Sequence, residues 1–369
     1  MLFRSNPSFT LYDVDNHFHC FACGRHGSVI DLVMLVEGVD FKTALAQLKQ
    51  HYVLGRADDR PRRVMHTERP STPHEISEDV KQVMAAATTY YQSALQRHPS
   101  ALAYLHKRGL TDETLAKLRI GYADGGLGRA LFAQGIDLAL AAHIGLITSR
   151  GEMLRGRAVF PVFDAQARPI WMIARALRDA DAPKYLGLPD GLVHKQPMVL
   201  GTPKRGTIWV EGAFDVAALV QWGLGADYLI VGLLGTASES VVERVIAQLP
   251  PNSLIALDQD LAGKQAALKL ATHLREQGLH PAVLVDADRH DRVTACLAHM
   301  KTKPQPSDHE RERTKLLMGE AEVAITQTLS DQQFSRWVRW GNHHKDPGSL
   351  CKLGQPGRTL FLAALARPP

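Results

Sequence analysis

Cysteine is scarce in this sequence: four residues in 369, two of them, Cys20 and Cys23, in a single C-x-x-C. That count excludes the dense disulfide framework of a small secreted domain. Long apolar runs are missing too. The longest, Val29 to Val36, is interrupted by Asp31 and is far too short to cross a bilayer. The opening residues MLFRSNPSF have no apolar core of a secretory signal. No G-x-x-x-x-G-K-S/T occurs, since GTPKRGT from Gly201 lacks the spacing, so a fused helicase motor of that class is not expected. Internal repeats are absent. These absences together lead to the expectation of a cytoplasmic protein with no membrane partner.

What is present suffices for more than one buried core. Hydrophobic residues make up 45% of the chain, and the net charge of +5 permits a nucleic-acid partner without demonstrating one. Residues 1–55 read as a compact unit. SFTLYDVDNHFHCF alternates like a hairpin, Ser28 opens a helix over IDLVMLVEG, and FKTALAQLKQHY reads as a second helix. Residues 56–79 read as a linker, rich in Pro, Arg and Ser/Thr and without an apolar period. Residues 80–205 are mixed α+β: VMAAATTYYQSALQ is helical, Thr111 caps a further helix, and GRAVFPVFD and IWMIARAL alternate like paired strands.

From 206 to 290 the rhythm changes to strand–helix alternation. TIWVE, YLIVG, SLIALD and PAVLVD are almost wholly apolar, as strands of a parallel sheet covered on both faces are. Residues 291–338 turn polar, as in KTKPQPSDHERERTK, and are expected to form an insertion, partly helical or disordered. Residues 339–369 complete the last region with a C-terminal helix.

Acids stand where such sheets keep their chemistry, at the carboxyl ends of strands. Glu211 ends the first strand, with Asp215 on the first turn of the next helix. Asp258 ends the third, with Asp260 two residues on. Four carboxylates gathered at one edge repel one another unless cations neutralise them. Mg²⁺ suits a few carboxylates plus substrate phosphates, and two such ions clamp the attacking and leaving oxygens of phosphoryl transfer. Helix capping is the plain alternative for any one of these acids.

EGAFD followed by ALDQDLAGKQAA resembles the paired acidic motifs of the Toprim fold, shared by primases, topoisomerases and some nucleases. Upstream, RGLTDETLAKLRIGYA, GRAVFPVFD and APKYLGLPDGLVHKQPMVLG are similar to the basic subdomain that precedes Toprim in bacterial DnaG-type DNA primases. HFHCFACGRHGSVIDLVMLVEGVDF resembles the zinc ribbon of those enzymes. The resemblance covers most of residues 1–290 in the family's order. It implies an α/β Toprim sheet flanked by helices, preceded by a mixed α+β basic subdomain and a small zinc-ribbon-like unit. It also implies a DNA-directed RNA polymerase of the primase type that makes short RNA primers on single-stranded DNA from NTPs. A separate replicative helicase is an admissible partner, although the family's own helicase-binding domain is not expected here.

Residue by residue, the resemblance makes Glu211, Asp258 and Asp260 the catalytic acids that bind Mg²⁺ or Mn²⁺, with Asp215 as a supporting acid of the same metal site. It puts Arg157, Lys184 and Lys195 at positions that contact template, nucleotide or product phosphates. A further metal-site acid is expected in a D-P-D-like segment. Asp346 in HHKDPGSL is the residue expected, because it matches the wording, although Gly348 stands where the second acid would be; Asp286 is the runner-up, since Asp286 and Asp288 in VLVDADRHD match the position. The family's ribbon has ligand order Cys-His-Cys-Cys. Cys20 and Cys23 supply only its last two, and His17, His19 and His26 are substitutes to weigh, so Zn²⁺ is expected only once the missing N-terminal ligands are restored. Two other readings stand beside the primase: a Toprim nuclease or topoisomerase-related enzyme, and a non-catalytic single-strand-binding remnant of a mobile-element primase.

Overall fold

The protein is described by a computed structural model over residues 9–12, 17–20, 26–40, 43–44, 47–48, 76–178, 181–235, 239–246, 249–302, 309–340 and 346–366. Two compact units divide the chain, 1–74 and 75–369. The first contains a three-stranded antiparallel sheet, β1 (Phe9–Tyr12), β2 (His17–Cys20) and β3 (His26–Ser28), followed by α1 (Val29–Glu37). The hairpin read from the sequence is the β1–β2 pair, in register from Phe9 opposite Cys20 to Tyr12 opposite His17. Of the second helix expected there, residues 43–44 and 47–48 are helical. Cys23 and nearly all of the expected linker lie outside the described residues.

The second unit opens with α2 (Glu78–Gln96). Ser77 caps it by accepting from the Val80 amide, Glu78 and Asp79 oppose the helix dipole, and Val80, Val83, Met84, Ala87, Tyr91 and Leu95 form its buried stripe. Next come α3 (Pro99–Lys107), α4 (Asp112–Lys117), β4 (Gly121–Tyr122), α5 (Leu127–Ala133), α6 (Leu138–Ile144) and a small pair, β5 (Ile147–Thr148) and β6 (Gly151–Glu152). Thr111 is the cap of α4, as its sequence requires. β7 (Arg157–Phe163), β8 (Pro169–Ala176) and β9 (Tyr185–Gly187) complete a four-stranded antiparallel sheet in the order β4-β7-β8-β9.

The larger sheet holds β10 (Met198–Gly201), β11 (Gly206–Val210), β12 (Tyr228–Gly232), β13 (Asn252–Ile255), β14 (His280–Asp286) and β15 (Ser335–Val338), in the order β10-β12-β11-β13-β14-β15. All neighbours run parallel except β10, which is antiparallel to β12. Its helices are α7 (Ala213–Gln221), α8 (Glu239–Ile246), α9 (Leu261–Glu276), α10 (Ala287–Thr302), α11 (His309–Asp331), α12 (Pro347–Cys351) and α13 (Gln355–Ala366). Period-two alternation divides the strand residues between two cores. Ile208, Val210, Ile230, Leu254 and Leu284 face one, with α7 and α13; Trp209, Val231, Ile255, Val283 and Val285 face the other, with α8, α9 and α11. The first core continues without a break into α2, β7 and β8.

The chain passes from β11 to β12 on one side, then crosses to β13 on the other. Strand order therefore reverses at β11, and an open crevice falls at the carboxyl ends of β11 and β13, the position where such sheets bind ligands. Within residues 291–338, α11 packs along α9, and β15 adds a parallel strand beyond β14. The polar sequence reflects one-sided burial: Glu322, Thr326 and Leu329 are the buried residues among the described side chains of α11. Among the described residues, no helix is long and apolar enough to cross a membrane.

α13 is anchored by Phe361, which is fully buried between Trp222 (ring centroids 5.6 Å) and Trp340 (6.2 Å). Phe361→Ala leaves a cavity between two indoles and should cost about 3–5 kcal/mol, read as a lower urea midpoint with an unchanged slope.

Candidate active site

The crevice is built from strand exits. Glu211 follows β11 directly, and its carbonyl accepts from the Leu234 amide (2.8 Å), tying the exits of β11 and β12 together. Gly212, which has no side chain to cap α7, is served by Asp215 three residues on: Asp215 Oδ2 accepts from the Gly212 amide (2.8 Å). The other oxygen, Oδ1, accepts from the amide of Gly348 (2.8 Å), at the start of α12. Asp215 is buried, and burial, followed by the nearby charges of Asp346 and Asp258, holds its carboxyl well above the usual carboxylate range.

Asp258 and Asp260 flank the exit of β13. Asp260 caps α9 by accepting from the Gly263 amide (3.0 Å). Glycine is required at 263, because a Cβ there would drive into the Asp258 carbonyl. Asp346 caps α12 in the same manner, accepting from the Ser349 amide, while the Ser349 hydroxyl donates to the Asp346 carbonyl (2.7 Å). Asp346 thus stands beside Asp215 on the same edge, its charge felt by Asp215.

Asp286 is placed differently. Its side chain is fully buried at the end of β14, and Oδ1 accepts from the Asp288 amide (3.1 Å). Burial raises its pKa against the opposing pull of the Asp288 and Trp340 amides. Asp288 is engaged with Arg339 (2.7 Å). Among the described residues, no three His, Cys, Asp or Glu side chains converge at ligation distance on one point.

Cationic residues approach from the preceding subdomain. Lys195 is half-buried, which lowers its pKa against the pull of Asp190. A Cβ built on Gly235, just past the exit of β12, would lie 3.4 Å from Lys195 Nζ, so this ammonium sits over the crevice edge. Lys184 is exposed immediately before β9, its carbonyl accepting from the Ala176 amide (3.0 Å). Arg157 is buried and donates through Nη1 to the Pro183 carbonyl (2.6 Å). It lines a cleft of about 410 Å³ with Arg155, Arg178 and Asp181. A neighbouring cleft of about 530 Å³ shares Arg178 and Asp181 and adds Tyr104, Lys107 and Tyr122.

Four contributors were not singled out by sequence reasoning. Tyr185 lies on β9 under Arg175 (4.9 Å from guanidinium to ring), its hydroxyl 4.0 Å from where a Cβ of Gly212 would be. Arg108 stacks over Phe214 on α7 (4.3 Å), and Tyr104 meets the same ring edge-on (6.4 Å), joining the second cleft wall to the first turn that carries Asp215. Gln259, between the two aspartates, is buried and fully hydrogen-bonded. For Lys184 and Tyr185 the signal was present as adjacency in KYLG; for Gln259 and Arg108 the partners are remote in sequence.

Gly348 has a local reason for being glycine. A Cβ there would lie 2.8 Å from Asp215 Oδ1 and 3.2 Å from Phe214 Cβ. Gly348→Ala should therefore lower stability by about 1–3 kcal/mol through overpacking, whereas Ser349→Ala, which loses one exchange with Asp346, should cost less; urea unfolding of the two variants checks the order.

Comparison with known proteins places three family models in succession: the CHC2 zinc finger over residues 3–63, the N-terminal domain of the DNA primase catalytic core over 90–201, and a Toprim-like domain over 208–292. The chain is similar to DNA primases of Pseudomonas putida (32% identity over 291 residues, 72% of this chain and 42% of that protein) and Escherichia coli strain K12 (30% over 287 residues, 72% and 47%). It spans less than half the length of these relatives. Its fold is that of the Aquifex aeolicus primase zinc-binding and RNA polymerase domains (TM-score 0.51, 22% identity, 89% of this chain and 87% of that one). It matches equally a DnaG primase catalytic domain bound to ssDNA (TM-score 0.50, 23% identity, 78% of each chain).

Proposed function

Because this chain belongs to the DnaG-type DNA primase family, we propose that it is a nucleotidyltransferase synthesising short RNA primers on single-stranded DNA. The observation that carries the reading is the gathering of Glu211, Asp258, Asp260 and Asp346 at the switch-point edge, with Lys195 over the same edge. In this reading Glu211, Asp258, Asp260 and Asp346 would hold Mg²⁺ or Mn²⁺. Mg²⁺ takes one or two carboxylates, which acids carried on separate strand exits and helix starts can supply, and completes its shell with water and substrate phosphates. Such ions, when bound, would supply Lewis-acid neutralisation of the charge that develops on a transferred phosphoryl group.

The chain's own side chains do the rest. Asp215, with an oxygen committed to each of two backbone amides, acts in support by fixing α7 against α12. Asp346 is preferred over Asp286 for the remaining ligand because it shares an edge with Asp215 and Asp258, whereas Asp286 is sealed beneath the sheet's end. Lys195 would meet nucleotide phosphates, and Lys184, with Arg157 at the floor of its cleft, would meet template phosphates. Sequence-independent binding of this kind is driven by phosphate neutralisation. Positioning contributes most of the acceleration, and no covalent nucleophile is needed. Zinc is proposed only for a chain that also carries the two ligands that Cys20 and Cys23 leave unsupplied, since a structural site takes four.

A priming assay on mixed-sequence ssDNA with labelled NTPs and Mg²⁺ or Mn²⁺ tests the proposal. Glu211→Gln, which keeps the shape and removes the charge, should abolish incorporation without unfolding the protein, and Asp346→Asn should raise the metal concentration required. Metal-dependent cleavage of DNA without NTPs would favour a Toprim nuclease instead, and tight ssDNA binding without incorporation a non-catalytic remnant.

Lys184→Ala and Lys195→Ala should each weaken ssDNA or NTP use and flatten the dependence of log affinity on log salt by roughly one unit for each phosphate no longer neutralised. Fluorescence anisotropy on labelled ssDNA across a salt series reads this directly; unaltered slope and activity in both would return them to ordinary surface lysines.

A further inference from the structure

The helical pair α10–α11 and the residue between the two aspartates have no part in the function so far, yet polar contacts tie each of them to the elements that carry those aspartates. Gln259 is 2% exposed. Its Nε2 donates to the carbonyls of Leu257 (3.1 Å) and Leu284 (3.0 Å), and its Oε1 accepts from the Asp286 amide (2.9 Å). The β13–β14 ladder ends at Ile255 opposite Val283. Beyond that point the Gln259 amide does the pairing, holding the two strand exits together where backbone bonds have stopped. With the middle residue sealed inward, Asp258 and Asp260, both half-buried, are the ones left toward the crevice.

The second arm begins at Lys264, on the turn of α9 that Asp260 caps. Its side chain is 3% exposed, and Nζ donates to Glu322 Oε1 (3.2 Å) and Thr326 Oγ1 (3.1 Å), both on α11. Glu322 also takes a two-pronged grip from Arg289 of α10, at 2.9 and 3.0 Å. Asp286 lies close enough for its charge to act on Lys264. Lys264, Glu322 and Arg289 alternate in sign, and the helical pair supplies two of the three.

We infer that Gln259 and the Lys264–Glu322–Arg289 cluster are positioning residues for the metal-binding aspartates, which makes α10–α11 a brace for the site. The inference rests on the metal reading above. Buried ion pairs are poor sources of net stability, because desolvation offsets their attraction. Their effect here is to hold the first turn of α9, and with it Asp260, at one distance from the exit of β14. Outer groups that orient metal ligands commonly change metal affinity by about 10–100-fold when removed.

The test is binding of Mn²⁺ alone to the full chain, by calorimetry or by the loss of its free-ion EPR signal. Gln259→Met removes three hydrogen bonds at nearly constant volume. The paired exchange Lys264→Met with Glu322→Leu replaces a buried ion pair by apolar groups, a change that is often neutral or stabilising, and leaves Arg289, which is 28% exposed, able to reach water. Both proteins should bind Mn²⁺ about 10–100-fold more weakly, with ssDNA affinity unchanged and the paired exchange still folded by circular dichroism. Parental Mn²⁺ affinity in the folded paired exchange overturns the brace, whatever becomes of Gln259→Met. If the parent itself binds no Mn²⁺, or binds it regardless of Glu211→Gln, the metal reading fails and the positioning role fails with it.

Discussion

Like charges brought to one edge of a sheet are the constraint around which this unit is organised. Asp215, Asp258 and Asp346 are near enough for the first to feel the other two, and Asp215 is buried besides. Nothing in a hydrophobic core opposes such repulsion, so backbone amides have to. The amides of Gly212 and Gly348 go to Asp215, that of Gly263 to Asp260 and that of Ser349 to Asp346. Asp215, Asp260 and Asp346 are therefore each tied to a helix start, where unsatisfied amides and the dipole favour negative charge. Capping and metal binding, which look like rival explanations when each acid is taken alone, are compatible: a cap fixes the carboxylate through one oxygen, and a carboxylate has lone pairs to spare for a cation.

The strand–helix alternation after residue 206 was legible because parallel strands buried on both faces are apolar throughout, and Glu211, Asp258 and Asp260 could be located simply by where each apolar run stops. Thr111 was legible as a helix start because capping is local. The stretch 291–338 was legible only as an insertion, partly helical or disordered, because α11 buries a glutamate and a threonine against a lysine 58 residues away and so shows no apolar stripe. Gly348 is the instructive residue. In sequence it departs from the acidic pattern that would have followed Asp346; in the fold it is the residue against which Asp215 packs, and a side chain there would displace the carboxylate it serves.

The sheet and the subdomain before it share one core. Residues from Val80 to Ala364 belong to the same apolar cluster, and Phe214 on α7 packs against Phe160 of β7 at 4.9 Å as well as against Tyr104 and Arg108. Polar contacts repeat the junction: Gln221 of α7 donates to the Gly109 carbonyl (2.8 Å) and accepts from the Thr111 amide (2.9 Å), and the Cys351 thiol donates to the same Gly109 carbonyl (3.4 Å). Glycine at 109 leaves room for this approach, since a Cβ there would meet the Cys351 backbone at φ +90°. A boundary near 205 is thus a change of pattern in the sequence, with no corresponding break in packing. Basic and acidic groups carried on one continuous core keep fixed separations.

Topology explains how Asp346, 86 positions after Asp260, returns to the same edge. β15 runs parallel to β14, with Asp286 opposite Val338, so whatever follows β15 emerges where β11, β13 and β14 end. A helical pair between two parallel strands does not alter that outcome, because closing a longer connection costs only about 0.6 kcal/mol per doubling of its length. It does alter what the connection can contribute. A short crossover could deliver the next acid and nothing more; this one also brings Arg289 and Glu322 under the first turn of α9, placing counter-charges beneath the helix whose cap faces the crevice.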